Sequence, residues 1–182
     1  NMAILSVVSQ RGKKIEWTDK VIGAGTMKDV YFSPDKKYVV GFYRGKLDAS
    51  AKDRLNSIVG VYRDNIIDGP NGDYWENLLC WPYDIVEHNG LTGVVAPAYK
   101  SCFFFKHGSV NNDMLGIKGG EKNGKWFASA KNQNRFLHEK EKGDLLSYLR
   151  ISILLSRATK RLHAAGLAHS DLSYNNVLID PE

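Results

Sequence analysis

Asp171 and Asn176 stand five residues apart in the stretch LAHSDLSYNNVLID, residues 167 to 180. His169, Ser170, Asp171, Ser173, Asn175 and Asn176 crowd between Leu167-Ala168 and Val177-Leu178-Ile179, and an apolar run of that kind usually goes into a core. Both key side chains offer oxygen. A carboxylate can accept a hydroxyl proton and an amide oxygen can bind a hard cation such as Mg²⁺, so a loop that turns both groups to one point could move a proton beside a metal. His169 and Leu172 are the residues expected to anchor such a loop. The competing reading is a polar turn held by Asx-type hydrogen bonds, which Asn- and Asp-rich segments form readily.

Something rigid must present that loop. Residues 144–165 carry Leu146, Leu149, Ile153, Leu154, Arg157 and Leu162 in helical rhythm, with Asp144 as cap and Gly166 where helices end. The first half is built differently. Lys14 to Ile22 and Val30 to Tyr43 hold β-branched and aromatic residues broken by Gly23-Ala24-Gly25 and by the turn at 33–37, which predicts a meander of three antiparallel strands. Leu55, Ile58, Val59, Tyr62 and Ile66 then predict one helix over 48–67, with Ser50 and Asp53 as a weak cap pair and Asp68-Gly69-Pro70 as its end. Two more strands, Tyr83 to Glu87 and Leu91 to Tyr99, flank His88-Asn89-Gly90. Residues 106–142 are polar and glycine-bearing, with lysines spread through them, and read as a long loop or an inserted subdomain. Trp75, Trp81 and Pro82 read as packing residues.

The totals restrict the alternatives. A chain of 182 residues with 43% apolar and 25% charged residues can bury a core as one domain or two small lobes. A net charge of +5 is too mild to name a partner, and the aromatic residues among the insert's lysines are too few to favour nucleic acid. Cys80 and Cys102 are isolated, which removes a disulfide framework or a four-cysteine zinc site and makes a reducing cytoplasm the default. No run approaches the roughly 18 apolar residues of a membrane span.

The stretch His169-Ser170-Asp171-Leu172, followed after three residues by Asn176, matches the kinase catalytic-loop pattern H-R-D-L-x-x-x-N. In VIGAGTMKDVYF, glycines let backbone N–H groups approach phosphates, and Val30 follows where the pattern G-x-G-x-x-G-x-V places its valine. With these motifs the chain resembles the protein kinase-like superfamily over nearly its whole length. Ser173 in place of the usual lysine looks like the atypical RIO-type kinases. MKDVYFSPD together with CWPYDIV looks like bacterial kinase-like proteins associated with tellurite-resistance gene clusters.

The resemblance implies an α+β, two-lobed protein kinase-like fold. Residues 1–99 would be the small lobe, an antiparallel sheet with a glycine loop at 22–31 and a single helix at 48–67. Residues 100–182 would be an incomplete large lobe with the inserted loop 106–142, the long helix 144–165 and the catalytic loop 169–176. It implies ATP and Mg²⁺ between the lobes, a protein Ser or Thr as acceptor, and Asp171 as the base that deprotonates it. Asn176 would hold the metal. Ile22, Gly23, Ala24, Gly25, Val30, Val40, Arg44, Ala96, Pro97, Ala98 and Tyr99 would surround the nucleotide. An aminoglycoside-type small-molecule phosphotransferase and a nucleotide-binding pseudokinase scaffold are the alternatives.

The chain also departs from the pattern. YVVGFYR puts Gly41 or Phe42 where the third strand should carry a lysine, and residues 48–67 contain no Glu to pair with one. Both halves of that ion pair are missing together, and a replacement cation is required. Lys28, in the slot of the third glycine, is the first candidate, as in the with-no-lysine kinases; Arg44 is the second. Ser170 replaces the arginine that answers a phosphorylated activation loop, so no such switch is expected. No Asp-Phe-Gly segment follows Asn176, and Asp180 is a poor stand-in for its metal ligand. The expectation is therefore a fragment of a longer kinase, weak or inactive as it stands, or else a shortened relative. In either case the apolar face of the 144–165 helix calls for cover by a partner chain or by self-association.

Overall fold

The computed structural model describes residues 3–25 and 27–182. It is a mixed α+β structure that divides into two compact units, Asn1–Ala98 and Tyr99–Glu182.

The first unit holds two sheets. Strands β1 (Ile4–Val8) and β2 (Lys14–Thr18) form an antiparallel hairpin of their own. Strands β3 (Val21–Ala24), β4 (Lys28–Phe32), β5 (Tyr38–Tyr43), β6 (Asp84–His88) and β7 (Leu91–Pro97) form an antiparallel five-stranded sheet in the order β3-β4-β5-β7-β6. The predicted run from Lys14 to Ile22 is thus two strands in two sheets, and the apolar segment near the N-terminus pairs with the first of them.

Alternation along the strands creates two different faces. Val40 and Phe42 of β5, Val86 of β6 and Val95 of β7 point to one side and bury Ile15 and Trp17 of the hairpin. Gly93 makes room there, since a Cβ on it would lie 2.8 Å from the Phe42 ring and 2.9 Å from Val86. On the other side Ile85 and Val94 meet Leu55 and Val59, with Tyr43 and Leu47 at the margin. The hairpin turn is tied down by Gln10 N–H donating to the Ile85 carbonyl and by Ser9 Oγ donating to the buried Asp84 carboxylate at 2.7 Å.

Helix α1 (Ala49–Ser57) starts at Asp48, whose carboxylate accepts the Ala51 N–H at 2.7 Å. The cap is therefore Asp48 and not the pair Ser50 and Asp53; Ser50 Oγ instead accepts from Arg54. The expected single helix is interrupted at Gly60, where φ is −95° and ψ −106°, before α2 (Arg63–Ile66). A further helix, α3 (Gly72–Leu78), buries none of its residues. Trp81 does pack, donating its indole N–H to the Ile58 carbonyl. Between β6 and β7 the two-residue loop Asn89-Gly90 has φ of 51° and 76°, the positive pair of a primed hairpin turn, which Asn-Gly adopts at little cost.

In the second unit the long helix (Leu145–Ala164) begins with a reciprocal cap: Asp144 accepts the Ser147 N–H at 2.8 Å and Ser147 Oγ accepts the Asp144 N–H. Gly166 follows at φ 77°. Leu145, Leu146, Leu149 and Ile153 on this helix are each more than half exposed.

Residues 106–142 are not a structureless loop. Ile117, Trp126, Phe127 and Leu137 from that segment pack with Phe105, Val177 and Ile179 as the unit's core. Asp113 organises the turn before them: its carboxylate accepts N–H groups from Ser109, Ile117 and Lys118, led by the Ser109 bond, and these hold it below the usual carboxylate range. Gly108 is obligatory there, because its φ is 78° and a Cβ would lie 2.4 Å from Asp113 Oδ1.

Candidate functional site

In the second unit the long helix delivers the chain into the loop, where Tyr174–Asn176 form one tight helical turn. Asn176 Nδ2 donates to the Asp171 backbone carbonyl at 2.8 Å and to Asp171 Oδ2 at 3.0 Å. The structure therefore brings these two residues together. With its nitrogen turned inward, the Asn176 amide is left with Oδ1, its metal-type donor, accepting no hydrogen bond among the described residues. Asp171 Oδ1 is in the same condition. Both residues are exposed.

His169 and Leu172, expected to anchor the loop, are themselves exposed. The anchoring comes from another quarter. Gly124 N–H donates to the Val177 carbonyl and Ile179 N–H to the Lys122 carbonyl, so the segment after the loop forms an isolated bridge, Asn123 to Leu178, with the insert. Among the described residues no group of three or more His, Cys, Asp or Glu side chains could hold a metal ion. Asp171 and Asn176 nevertheless fit Mg²⁺, which usually takes one or two protein oxygens and completes its shell with phosphate oxygens and water.

In the first unit, strand pairing decides which of the expected residues share a face. Lys28 lies opposite Tyr43, Val30 opposite Gly41, Gly23 opposite Val30, and Val39 opposite Ala96. Gly41 belongs to the face of Lys28: a Cβ there would lie 3.5 Å from Lys28 Cδ, 3.8 Å from Val94 and 3.9 Å from Val30. The lysine stem thus crosses Gly41. Its ammonium lies 5.1 Å from the centre of the Tyr43 ring and forms no salt bridge with a carboxylate among the described residues. Burial without a counter-charge lowers its pKa below the ordinary lysine value.

Several expected residues are placed otherwise. Val40 is fully buried on the opposite face, among the Trp17 cluster, so its side chain cannot line a nucleotide beside Lys28. Val39, one residue earlier, lies on the same face as Gly41. Phe42 likewise points to Trp17, whereas Gly41 lies on the Lys28 face. Arg44, the second candidate cation, donates through Nε and Nη2 to Asp29 Oδ1 at 3.1 and 2.7 Å. That pairing holds the Asp29 carboxyl down and pushes the guanidinium up.

Gly23 and Gly25 have neither a positive φ nor a close neighbour that would forbid a side chain, with the nearest atoms at 3.8 Å. Gly23 is a paired strand residue, and the Gly25 N–H donates to the Lys28 carbonyl at 3.0 Å. Ile22 sits at the irregularity between Val21 and Gly23 and is exposed, as is Ala24, while Thr26 lies outside the described residues. Ala96 and Pro97 end β7, and Ala98 N–H donates to the Lys37 carbonyl. Tyr99 opens the second unit and is exposed.

Sequence reasoning missed Tyr43 beneath Lys28, although the cross-strand register could have suggested it. It also missed buried Lys122, whose type argues for the surface. No family model, no curated protein and no solved structure matches this chain.

Proposed function

We propose that this chain carries the nucleotide- and metal-handling parts of an ATP-dependent phosphotransferase of the protein kinase-like superfamily, with a protein Ser or Thr hydroxyl as acceptor. The observation that carries the reading is the Asp171–Asn176 pair. One amide nitrogen bonds both the backbone and the side chain of the aspartate, and this leaves one carboxylate oxygen and one amide oxygen for ligands.

Asp171 Oδ1 would orient the acceptor hydroxyl and take its proton as the oxygen becomes a nucleophile. Asn176 Oδ1 would hold Mg²⁺, which when bound neutralises charge on the β- and γ-phosphates. The Lys28 ammonium would replace the missing third-strand lysine at the phosphates, and glycine at positions 23 and 25 would leave room for phosphate oxygens beside the strand.

The test is phosphate transfer from ATP by the complete gene product, offered Ser/Thr peptides and aminoglycosides in parallel. Asp171→Asn should lower kcat by about 10² to 10⁴, the usual contribution of a positioned base. Transfer only to the small molecule would move the acceptor to that class. Stabilisation by Mg·ATP with no transfer to any acceptor would make the protein a nucleotide-binding scaffold. Full activity in Asp171→Asn would remove the mechanism altogether.

A further inference from the structure

The segment 122–124 runs antiparallel to 177–179, immediately after Asn176. Ile179 N–H donates to the Lys122 carbonyl at 2.8 Å, and Gly124 N–H to the Val177 carbonyl at 2.9 Å. Lys122 is 6% exposed. Its ammonium lies 3.3 Å from Glu141 Oε2 and 3.8 Å from Asp180 Oδ1. Glu141, 2% exposed, also accepts the His107 backbone N–H. Burial pushes the Glu141 carboxyl up, but the His107 amide and the Lys122 ammonium together hold it below its ordinary value. One cation thus joins a carboxylate of the insert to a carboxylate just past the loop. A second contact enters the loop itself: a Cβ on Gly124 would lie 3.3 Å from Tyr174 Cα and from its carbonyl oxygen.

We propose that Lys122 is a positioning residue that fixes the Asn176 end of the loop relative to Asp171, by tying residues 177–180 to the insert. The inference deepens the phosphotransferase reading, and its structural half can be measured without nucleotide. Asp171 is reached directly from the long helix, while Asn176 leads directly into the tied segment. Loss of the tie should therefore displace Asn176 more than Asp171. Metal use should suffer before proton transfer does. Removal of Lys122 leaves Glu141 and Asp180 without their shared cation, and breaking a buried pair from one side is strongly destabilising locally.

The experiment compares Lys122→Met, Gly124→Ala and the exposed control Lys118→Met. In amide hydrogen exchange, Ile179 and Gly124 of Lys122→Met should lose protection by at least about tenfold more than mid-helix amides near Ile151. Lys118→Met should match the parent. In the complete gene product, the Mg²⁺ concentration for half-maximal rate should rise about fivefold or more, with kcat at saturating Mg²⁺ falling less than about twofold. Gly124→Ala should shift both readouts in the same direction and decides the matter if Lys122→Met fails to fold. Uniform loss of protection with no rescue by Mg²⁺ would reduce Lys122 to a general stability residue and overturn the proposal. If the parent shows no Mg²⁺-dependent transfer, the phosphotransferase reading falls and the exchange result alone decides the tie between insert and loop.

Discussion

Replacing Lys28 with Met should separate stability from nucleotide binding. The substitution keeps the stem that crosses Gly41 and removes the ammonium, which is half-buried, 5.1 Å from the Tyr43 ring centre and outside any salt bridge among the described residues. Two effects oppose each other. A cation over an aromatic ring gains about 0.5–1 kcal/mol at a partly exposed site, whereas desolvation works against the charge. The lowered pKa means that desolvation prevails, so Lys28→Met should be as stable as the parent or up to about 1 kcal/mol more stable. The pH dependence has a definite sign. Between the lowered folded pKa and the ordinary lysine value of 10.5, the unfolded chain binds more protons at this site than the folded one, so the site's contribution to stability rises with pH in that window. Below the folded pKa the cost is fully present, and in Lys28→Met this contribution disappears. Mg·ATP affinity should move the other way, falling about 10- to 150-fold for loss of one charge-assisted bond of about 1.5–3 kcal/mol. Denaturant titration from pH 7 to 10.5 and calorimetric titration with a non-hydrolysable ATP analogue measure the two quantities. A variant that is less stable by more than about 1 kcal/mol and binds nucleotide like the parent would refute the reasoning.

Three further outcomes follow from the packing. Gly93→Ala should cost about 1–3 kcal/mol in chemical denaturation, because its Cβ meets Phe42 and Val86 inside van der Waals distance; a neutral result would mean that the Trp17 cluster is looser than described. Leu137→Ala should cost about 2–5 kcal/mol, since Leu137 is fully buried among Phe105, Phe127 and Ile179, and a loss under about 0.5 kcal/mol would return residues 106–142 to the status of a loop. Leu149→Lys, on the exposed face of the long helix, should change stability by less than about 0.5 kcal/mol. A loss above about 2 kcal/mol by differential scanning calorimetry would show that this face is covered in solution.

What the sequence disclosed was local. Asn89-Gly90 between two β-branched runs specifies its turn, because few other residues accept two successive positive φ values. The long helix was legible from its apolar rhythm and the Asp144 cap, although Leu145, Leu146, Leu149 and Ile153 on it are exposed: periodicity shows that a face exists, not what covers it. What required tertiary information stayed hidden. The choice between Val39 and Val40 turns on a shift of one residue, which in a strand moves a side chain to the opposite face. The β1–β2 hairpin was missed because its first strand is mostly exposed and its second was merged with β3, and neither local signal shows that Trp17 closes a core with Val40 and Val95. Helix α3 left no apolar stripe to detect, since it buries nothing.

At the candidate site, residue types pointed to Asp171, Asn176 and Lys28, but their environments could not be inferred. The glycine in the lysine slot is intelligible once Lys28 is seen to lie across it. Burial of Lys122 is not legible in the sequence, because lysine is almost never buried without partners and its partners, Glu141 and Asp180, lie 19 and 58 residues away.

The central proposal is that Asn176 holds the metal of a bound nucleotide beside the Asp171 carboxylate. Its most direct test is paramagnetic relaxation by Mn²⁺ complexed with a non-hydrolysable ATP analogue, read at the Asn176 side-chain amide and the Asp171 backbone amide. The account predicts selective broadening of both signals at substoichiometric Mn²⁺, abolished in Asn176→Ala at the Asp171 signal. Unchanged linewidths at saturating nucleotide, or broadening that survives the substitution, would contradict it.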